Sequence, residues 1–176
     1  MSMKFAYSTN AFKKHSLDEA IRLIKDIGYD GIELMADRPH LYPPDYDEKQ
    51  LAALKKRIND AGLGIANINS FAVTALGGIY YHPSWIDTDP DKRVARISYT
   101  KSCIAAAAAL GCPTVSTMAG GKLEGISRTD AMEIFLEGLK QVLPEARRYG
   151  VSLLLEPEPD TLIATSDQFQ EIMKAA

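Results

Sequence analysis

The feature that most constrains the fold is a glycine that recurs at the end of four predicted helices. Helical patterns end at Gly28, Gly62, Gly111 and Gly150, and an apolar strand pattern begins within a residue or two of each glycine. Glycine readily adopts the left-handed conformation that commonly ends a helix. A helix followed at once by a strand, four times over, indicates a repeated βα unit and an all-parallel sheet with right-handed crossovers.

The patterns predict five strand–helix units. The predicted strands cover residues 4–8, 29–35, 63–69, 113–118 and 151–155. The predicted helices cover 16–27, 47–61, 89–110 and 129–149, and a last one begins at a cap, Ser166. Pro144 lies inside the fourth helix and should kink or divide it, because proline cannot donate the helical hydrogen bond. With 176 residues, the chain is predicted to form a single domain over 1–176.

Two architectures fit five parallel βα units. One is a complete five-stranded doubly wound sheet, which the short length favours; the other is the first five-eighths of a (β/α)8 TIM barrel. The loop after the first strand lacks a glycine-rich phosphate-binding pattern, which weakens the doubly wound alternative. Polar residues instead recur at the ends of four strands, as is typical of a barrel mouth. These residues are Glu33, Asn67, Asn69, Ser116 and Glu156.

Composition excludes several classes of function. The formal net charge is −3 and the isoelectric point is near 5.6, so the chain has no basic surface for nucleic acid. The apolar run from Cys103 to Leu110 is far shorter than the ~20 residues that span a membrane, and the N-terminus has no secretory signal pattern. We therefore expect a cytoplasmic protein with buried free thiols at Cys103 and Cys112.

The strongest candidate for chemistry is the end of the fifth strand. An uncharged run from Val151 to Leu155 leads directly into Glu156 and Glu158, and each glutamate is followed by a proline. Such a run is typical of a parallel strand covered on both faces. Carboxylates at the carboxyl end of such a strand are candidates for metal binding or proton transfer, although a loop acid facing water is the alternative.

Four motifs occur in a characteristic order along the chain. They are Gly-Tyr-Asp-Gly-Ile-Glu-Leu at 28–34, Ala-Gly-Leu-Gly-Ile at 61–65, Ala-Ala-Leu-Gly-Cys-Pro-Thr-Val at 108–115 and Leu-Leu-Leu-Glu-Pro at 153–157. Together they resemble the xylose isomerase-like TIM-barrel superfamily of sugar and sugar phosphate isomerases and epimerases. The resemblance implies one divalent metal, Mn²⁺ or alternatively Mg²⁺ or Co²⁺, with Glu156 as its first ligand. The remaining implied ligands belong to strands six to eight, so we expect this chain to be a fragment and inactive alone.

Other residues are assigned to the site with alternatives left open. The resemblance implies that Glu33 lies near the substrate, where it could accept hydrogen bonds from sugar hydroxyl groups. His82 and Trp85 lie in the longest βα loop, where a barrel enzyme carries a lid, although a surface histidine and a packed tryptophan would explain them equally. Glu158 is a further substrate-binding candidate. His40 is a weaker candidate, and His15 is expected to face solvent.

The resemblance implies an aldose–ketose isomerase or epimerase that removes a proton next to a carbonyl, with Glu156 as both ligand and proton-transfer group. A dehydratase acting on a cyclic polyol would need the same proton abstraction. A nuclease is less consistent, because the third and fourth strands end in Asn69-Ser70 and Met118-Ala119, without histidine. The third alternative is a non-catalytic half-barrel that associates with a second copy. Unpaired edges at strands one and five favour a homo-oligomer.

Overall fold

The computed structural model describes residues 3–175 and contains one sheet of five parallel strands. The strands are Ala6–Ser8 (β1), Gly31–Met35 (β2), Gly64–Asn69 (β3), Thr114–Met118 (β4) and Ser152–Glu156 (β5). The α-helices are Leu17–Ile27 (α1), Glu48–Asp60 (α2), Pro90–Leu110 (α3), Arg128–Tyr149 (α4) and Ser166–Ala175 (α5). Two short 3₁₀-helices, Thr9–Phe12 and Pro43–Asp45, were not predicted.

The order of the strands distinguishes the two predicted architectures. The strands lie in the order β1-β2-β3-β4-β5, and every neighbouring pair is parallel. A doubly wound sheet reverses direction at a switch point, so its strands cannot follow chain order. Right-handed crossovers in a single direction place all the helices on one face, as in a barrel. The partial-barrel prediction is confirmed, and the doubly wound alternative is wrong.

Local sequence explains where the helices begin and end. Ser16 and Glu19 form the capping box of α1, and Asp89 caps α3 with Pro90 in its first turn. Gly28, Gly111 and Gly150 cap α1, α3 and α4 in the left-handed conformation, with φ of 104°, 76° and 66°. A side chain would strain the backbone at these positions.

Two predictions about helices need correction. Helix α4 runs through Pro144 without being divided, and Pro144 lies in its interior. The side chain that caps α5 is Thr165, whose hydroxyl accepts a hydrogen bond from the amide of Gln168, and not Ser166. Gln168 in turn accepts a hydrogen bond from the amide of Thr165, so the pair forms the reciprocal pattern of a capping box.

The core lies between the sheet and its helices. Ile32, Leu34, Ile68 and Val115 of the strands are fully buried, and so is Phe135 of α4. The opposite face of the sheet is more open, and Leu154 of β5 keeps 43% of its surface exposed. The strands β1 and β5 lie at the two edges of the sheet.

Membrane spans are absent from residues 3–175, since none of the helices there combines the length and apolar character that a span requires.

Candidate functional site

A row of polar side chains crosses four neighbouring strands, from the middle of β2 to the carboxyl end of β5. The amide Nδ2 of Asn67 on β3 donates to Glu33 Oε2 on β2 and to Ser116 Oγ on β4, at 2.9 Å in each case. The Ser116 hydroxyl lies beside the carboxylate of Glu156 on β5, close enough to lower the pKa of that carboxyl. We call Glu33, Asn67, Ser116 and Glu156 the polar row. The structure therefore brings Glu33 and Glu156, both predicted as site residues, into one connected network.

Asn67 holds the polar row together, because its side chain contacts both neighbouring strands. Its Oδ1 accepts a hydrogen bond of 2.9 Å from the hydroxyl of Thr114. A register shift between Ile32 and Glu33 leaves Ala66 without a partner in β2 and sets Asn67 directly opposite Glu33. Such β-bulges commonly redirect side chains near active sites. Without this shift the alternation of the strand would turn Asn67 to the other face.

The surroundings of Glu156 favour its protonated form. Partial burial raises the pKa of the Glu156 carboxyl, and the negative charges of Glu33 and Glu158 raise it further. The neighbouring Ser116 hydroxyl acts in the opposite direction and only partly offsets these effects. A carboxyl whose pKa moves toward neutrality is better matched to proton transfer than an exposed one.

A small cleft of about 130 Å³ adjoins Glu156. It lies at the carboxyl end of the sheet, the position of the active site in barrel enzymes. Its lining includes both predicted carboxylates, Glu156 and Glu158, and the cation Lys13. The other residues that line it are Asn10, Asn69, Phe71, Val73 and Tyr80.

A larger cavity of about 480 Å³ lies at the opposite end of the sheet. It is formed around the amino ends of the strands, with Phe5, Gly31 and Gly64 in its lining. The amino ends of barrel strands serve stability, and catalytic residues come from the carboxyl ends. We therefore assign the candidate site to the smaller cleft.

His82 lies away from the polar row and contacts two other carboxylates. Its Nδ1 is 2.7 Å from Asp87 Oδ2, and its Nε2 is 3.1 Å from Glu124 Oε1. Asp87 is buried, whereas Glu124 is partly exposed in the loop between β4 and α4. Both ring nitrogens are occupied, so His82 has no free nitrogen for a substrate in this arrangement.

Trp85 lies in the core behind the sheet. Only 1% of its surface is exposed, and its Nε1 donates to the hydroxyl of Thr117 at 3.1 Å. Its ring packs edge to face against Phe135 of α4. The structure therefore does not bring Trp85 to the cleft, and a role in substrate binding stays a prediction without geometric support.

The two weaker histidine candidates also lie outside the cleft lining. His40 is buried, and its Nε2 donates to the carbonyl oxygen of His15 at 3.2 Å. Burial lowers the pKa of His40. The side chain of His15 is exposed, as expected.

Sequence reasoning missed several residues of the cleft. Asn10 and Lys13 follow β1, and Phe71 and Tyr80 belong to the loop after β3. Their positions at the carboxyl ends of strands were a usable signal, because all such loops meet at the same end of a parallel sheet. The aromatic residues gave a second signal, since Tyr80 keeps 59% of its surface exposed.

A divalent metal would need more ligands than the described residues provide. Carboxylate oxygens suit Mn²⁺ or Mg²⁺ in kind, and Glu156 and Glu33 contribute them. Residues 3–175 nevertheless contain no group of three or more histidine, cysteine, aspartate or glutamate side chains that could hold an ion. These residues therefore do not make a complete metal site.

Comparison with known proteins identifies the fold independently of this geometry. A family model described as "Xylose isomerase-like TIM barrel" matches residues 21–176. A protein of Streptomyces coelicolor described as "Putative hydroxypyruvate isomerase" is 27% identical over 129 residues, which are 73% of this chain and 44% of that protein.

Solved structures agree with the family model. The 3-keto-D-glucoside 4-epimerase of E. coli superposes with a TM-score of 0.77 at 18% identity, over 99% of this chain and 64% of its own. A D-tagatose 3-epimerase-like protein superposes with a TM-score of 0.78 at 18% identity, over 99% of this chain and 61% of its own. The IOLI protein, which carries a zinc atom, superposes with a TM-score of 0.74 at 19% identity, over 98% of this chain and 59% of its own. The chain thus spans less than two thirds of each of these proteins.

Proposed function

Because the chain belongs to the xylose isomerase-like TIM-barrel family, we propose that it forms part of a metal-dependent sugar or sugar phosphate isomerase or epimerase. The reaction would begin with removal of a proton from the carbon next to a carbonyl group. The observation that carries the proposal is the polar row, which ends in a half-buried carboxylate beside a cleft. The named activities of the epimerase and isomerase relatives support the same class of reaction.

In this proposal Glu156 is the proton-transfer group. Its carboxylate oxygen takes the proton from the carbon atom, and the electrons of the broken C–H bond move toward the carbonyl oxygen to give an enediolate. Burial raises the pKa of Glu156, so the carboxylate binds the proton more readily than an exposed glutamate would. Returning the proton to the neighbouring carbon, with transfer of the hydroxyl proton from one oxygen to the other, gives an isomer. Delivery of a proton to the other face of the same carbon by a donor on that side gives an epimer.

The rest of the polar row would orient Glu156 and the substrate. Asn67 donates to the Ser116 oxygen, which leaves the serine hydroxyl hydrogen available for the neighbouring Glu156 carboxylate. Glu33 and Glu158 would accept hydrogen bonds from substrate hydroxyl groups, since a carboxylate is an acceptor in two directions. A hydroxylated carbohydrate is the substrate class that this set of acceptors fits.

A divalent ion, Mn²⁺ first and Mg²⁺ or Co²⁺ as alternatives, belongs to the proposal with Glu156 as one ligand. A bound ion would stabilise negative charge on the substrate oxygens. The zinc atom carried by the IOLI protein supports a metal in this fold. The other ligands would have to come from outside the described residues, so no step above depends on the ion.

The proposal is tested by hydrogen exchange at the reacting carbon. The protein expressed from its complete gene is incubated in D₂O with Mn²⁺ and a panel of ketoses, ketose phosphates and hydroxypyruvate, and NMR follows deuterium incorporation next to the carbonyl. Glu156→Gln should slow exchange by at least about a hundredfold, since general base catalysis contributes roughly 10²–10⁴-fold.

Glu158→Gln is the matched control, because it removes a second carboxylate from the same cleft and should have the smaller effect. No exchange with any compound of the panel would contradict the proposal. Near-normal exchange in Glu156→Gln, with exchange abolished in Glu158→Gln, would reverse the roles of the two carboxylates. A dehydratase acting on a cyclic polyol would instead show loss of a hydroxyl group from the product spectrum.

A non-catalytic half-barrel that associates with a second copy is the second candidate. The observation that favours it is that residues 3–175 lack a group of three metal-binding side chains. Metal analysis and size-exclusion mass separate the two candidates. A metal-free oligomer without exchange activity supports the second, and a protein that binds one divalent ion per active chain supports the first.

A further inference from the structure

Two aromatic side chains line the cleft, and a third packs against both of them. Phe71, Tyr80 and Tyr81 have ring centroids 5.5, 5.6 and 4.4 Å apart, and we call them the aromatic cluster. Phe71 and Tyr80 line the same cleft as Glu156 and Glu158. Aromatic faces beside carboxylates commonly contact the apolar faces of bound ligands and fix their orientation. The loop between β3 and α3 thus presents a recognition surface to the proposed proton-transfer group.

The base of this loop is held by two buried charged side chains. The carboxylate of Asp37 accepts hydrogen bonds from the amides of Val73, Thr74 and Ala75 at 2.9, 2.8 and 2.7 Å. The fully buried guanidinium of Arg96 donates to the carbonyl oxygens of Ser70 and Pro83. These contacts hold both ends of the loop, and the tip between them, 76–82, includes the exposed residues Ile79 and Tyr80.

His82, the last residue of the tip, contacts one carboxylate in its own loop and one in the β4–α4 loop. Its ring nitrogens face carboxylate oxygens of Asp87 and Glu124, and a carboxylate oxygen can only accept a hydrogen bond. A neutral imidazole has a single N–H, so only the doubly protonated imidazolium can donate to both. The geometry therefore requires the charged form of His82. That form joins the tip of the β3–α3 loop to Glu124 in the β4–α4 loop.

The backbone on both sides of this contact is strained. Tyr81 and Glu124 are non-glycine residues with φ of 68° and 44°, which is uncommon and most costly for a bulky residue. Residues held in such conformations need surrounding contacts to keep them there. The Lys122 ammonium lies 5.1 Å from the centre of the Tyr81 ring and adds a second contact between the same two loops.

We propose that His82 is a positioning residue, which in its imidazolium form fixes the aromatic cluster beside the cleft for recognition of the substrate. The substrate itself rests on the function proposed above. Loss of one ring proton would break the contact with Glu124 first, because the remaining proton would stay on Nδ1, hydrogen-bonded to the buried carboxylate of Asp87. The tip would then lose its ion pair with Glu124 and keep the weaker contact of Lys122 with the Tyr81 ring, so the position of Tyr80 in the cleft would be less fixed.

The other charged groups around His82 support this order of events. Lys92 Nζ is 3.8 Å from Asp87 Oδ1, and Arg93 donates to the Asp87 carbonyl oxygen, so Asp87 stays ionised and in place. Burial raises the pKa of the Tyr81 hydroxyl, and the negative charges of Glu158 and Asp160 raise it further. The hydrogen bond to Asp87 raises the pKa of His82, which sets the transition above the ordinary histidine value of 6.5.

Amide exchange measured by NMR without substrate or metal tests this inference apart from the proposed function. The Gly78 amide donates to the Val73 carbonyl within the tip at 2.8 Å. Between about pH 6 and pH 9, its protection should fall about two- to fivefold, as expected for loss of a partly exposed ion pair. The amides of 73–75, which Asp37 holds, serve as the internal control and should keep their protection.

Glu124→Ala should give low protection of the Gly78 amide at both pH values, because alanine offers the imidazole no acceptor. His15→Gln should behave as wild type, because His15 is exposed and lies outside the cleft lining. The His82 ring should titrate above 6.5 in wild type and at a lower value in Glu124→Ala. Equal protection of the Gly78 amide at both pH values in wild type would overturn the inference. So would a His82 pKa at or below 6.5.

Discussion

Replacing Asp37 with asparagine tests whether its carboxylate anchors the β3–α3 loop, which lines the cleft. Only 2% of Asp37 is exposed. Its Oδ2 accepts from the amides of Val73 and Thr74, and its Oδ1 accepts from those of Ala75 and Arg38. Asparagine keeps one acceptor oxygen and replaces the other with an NH₂ group, so two amide donors lose their partner whichever way the side chain turns.

The expected loss in the free energy of unfolding follows from these two donors. A buried donor left without a partner costs about 1–3 kcal/mol, which gives about 2–6 kcal/mol for two. Thr74 is exposed, so one amide can turn to water, and we expect the lower part of this range, about 2–4 kcal/mol. Urea unfolding at pH 7 measures the change in the free energy of unfolding.

Asp45→Asn is the matched control for Asp37→Asn. Asp45 pairs with the side chain of Arg38 at 2.7 Å, but both side chains are about half exposed. Such a surface pair contributes about 0–1 kcal/mol, so the control should unfold nearly as wild type does. If Asp37→Asn lost less than about 1 kcal/mol, the carboxylate would not be the main anchor of residues 73–75, and the reasoning from unsatisfied donors would fail.

Two further predictions concern acid stability and association. Burial lowers the pKa of His40 in the folded state, so the unfolded chain binds a proton more readily, and the free energy of unfolding should fall as the pH drops below about 6.5. Urea unfolding at about pH 5 and 7 should show a smaller fall for His40→Gln than for wild type. An identical fall in both proteins would remove His40 as the cause. Exposed edges at β1 and β5 should make the 19.3 kDa chain associate, so size-exclusion light scattering should give a mass above the monomer, and a monomer that persists at high concentration would contradict this.

The fold could be predicted because its signals are local. Gly28, Gly111 and Gly150 ended helices where expected, and Asp89-Pro90 began α3. Strand order is not local, so the sequence left both sheet architectures open. The resemblance and the spread of polar residues over strand ends favoured the correct one.

The contacts of the site depend on side chains far apart in the sequence. Glu33, Asn67, Ser116 and Glu156 were recognisable as polar residues at strand ends, but the central place of Asn67 required the register shift in β3. Position in a loop could not show that Trp85 turns into the core. Composition likewise could not show that both nitrogens of His82 are occupied by acids 5 and 42 residues away.

The chain-order arrangement of the strands has a consequence for synthesis on the ribosome. Each strand from β2 to β5 pairs with the strand made just before it, so each finds its first partner already translated. Asn67 can bind Glu33, 34 residues behind it, before Ser116 has emerged. The polar row can therefore assemble one member at a time, and Glu156 joins a network whose other three members are already in place.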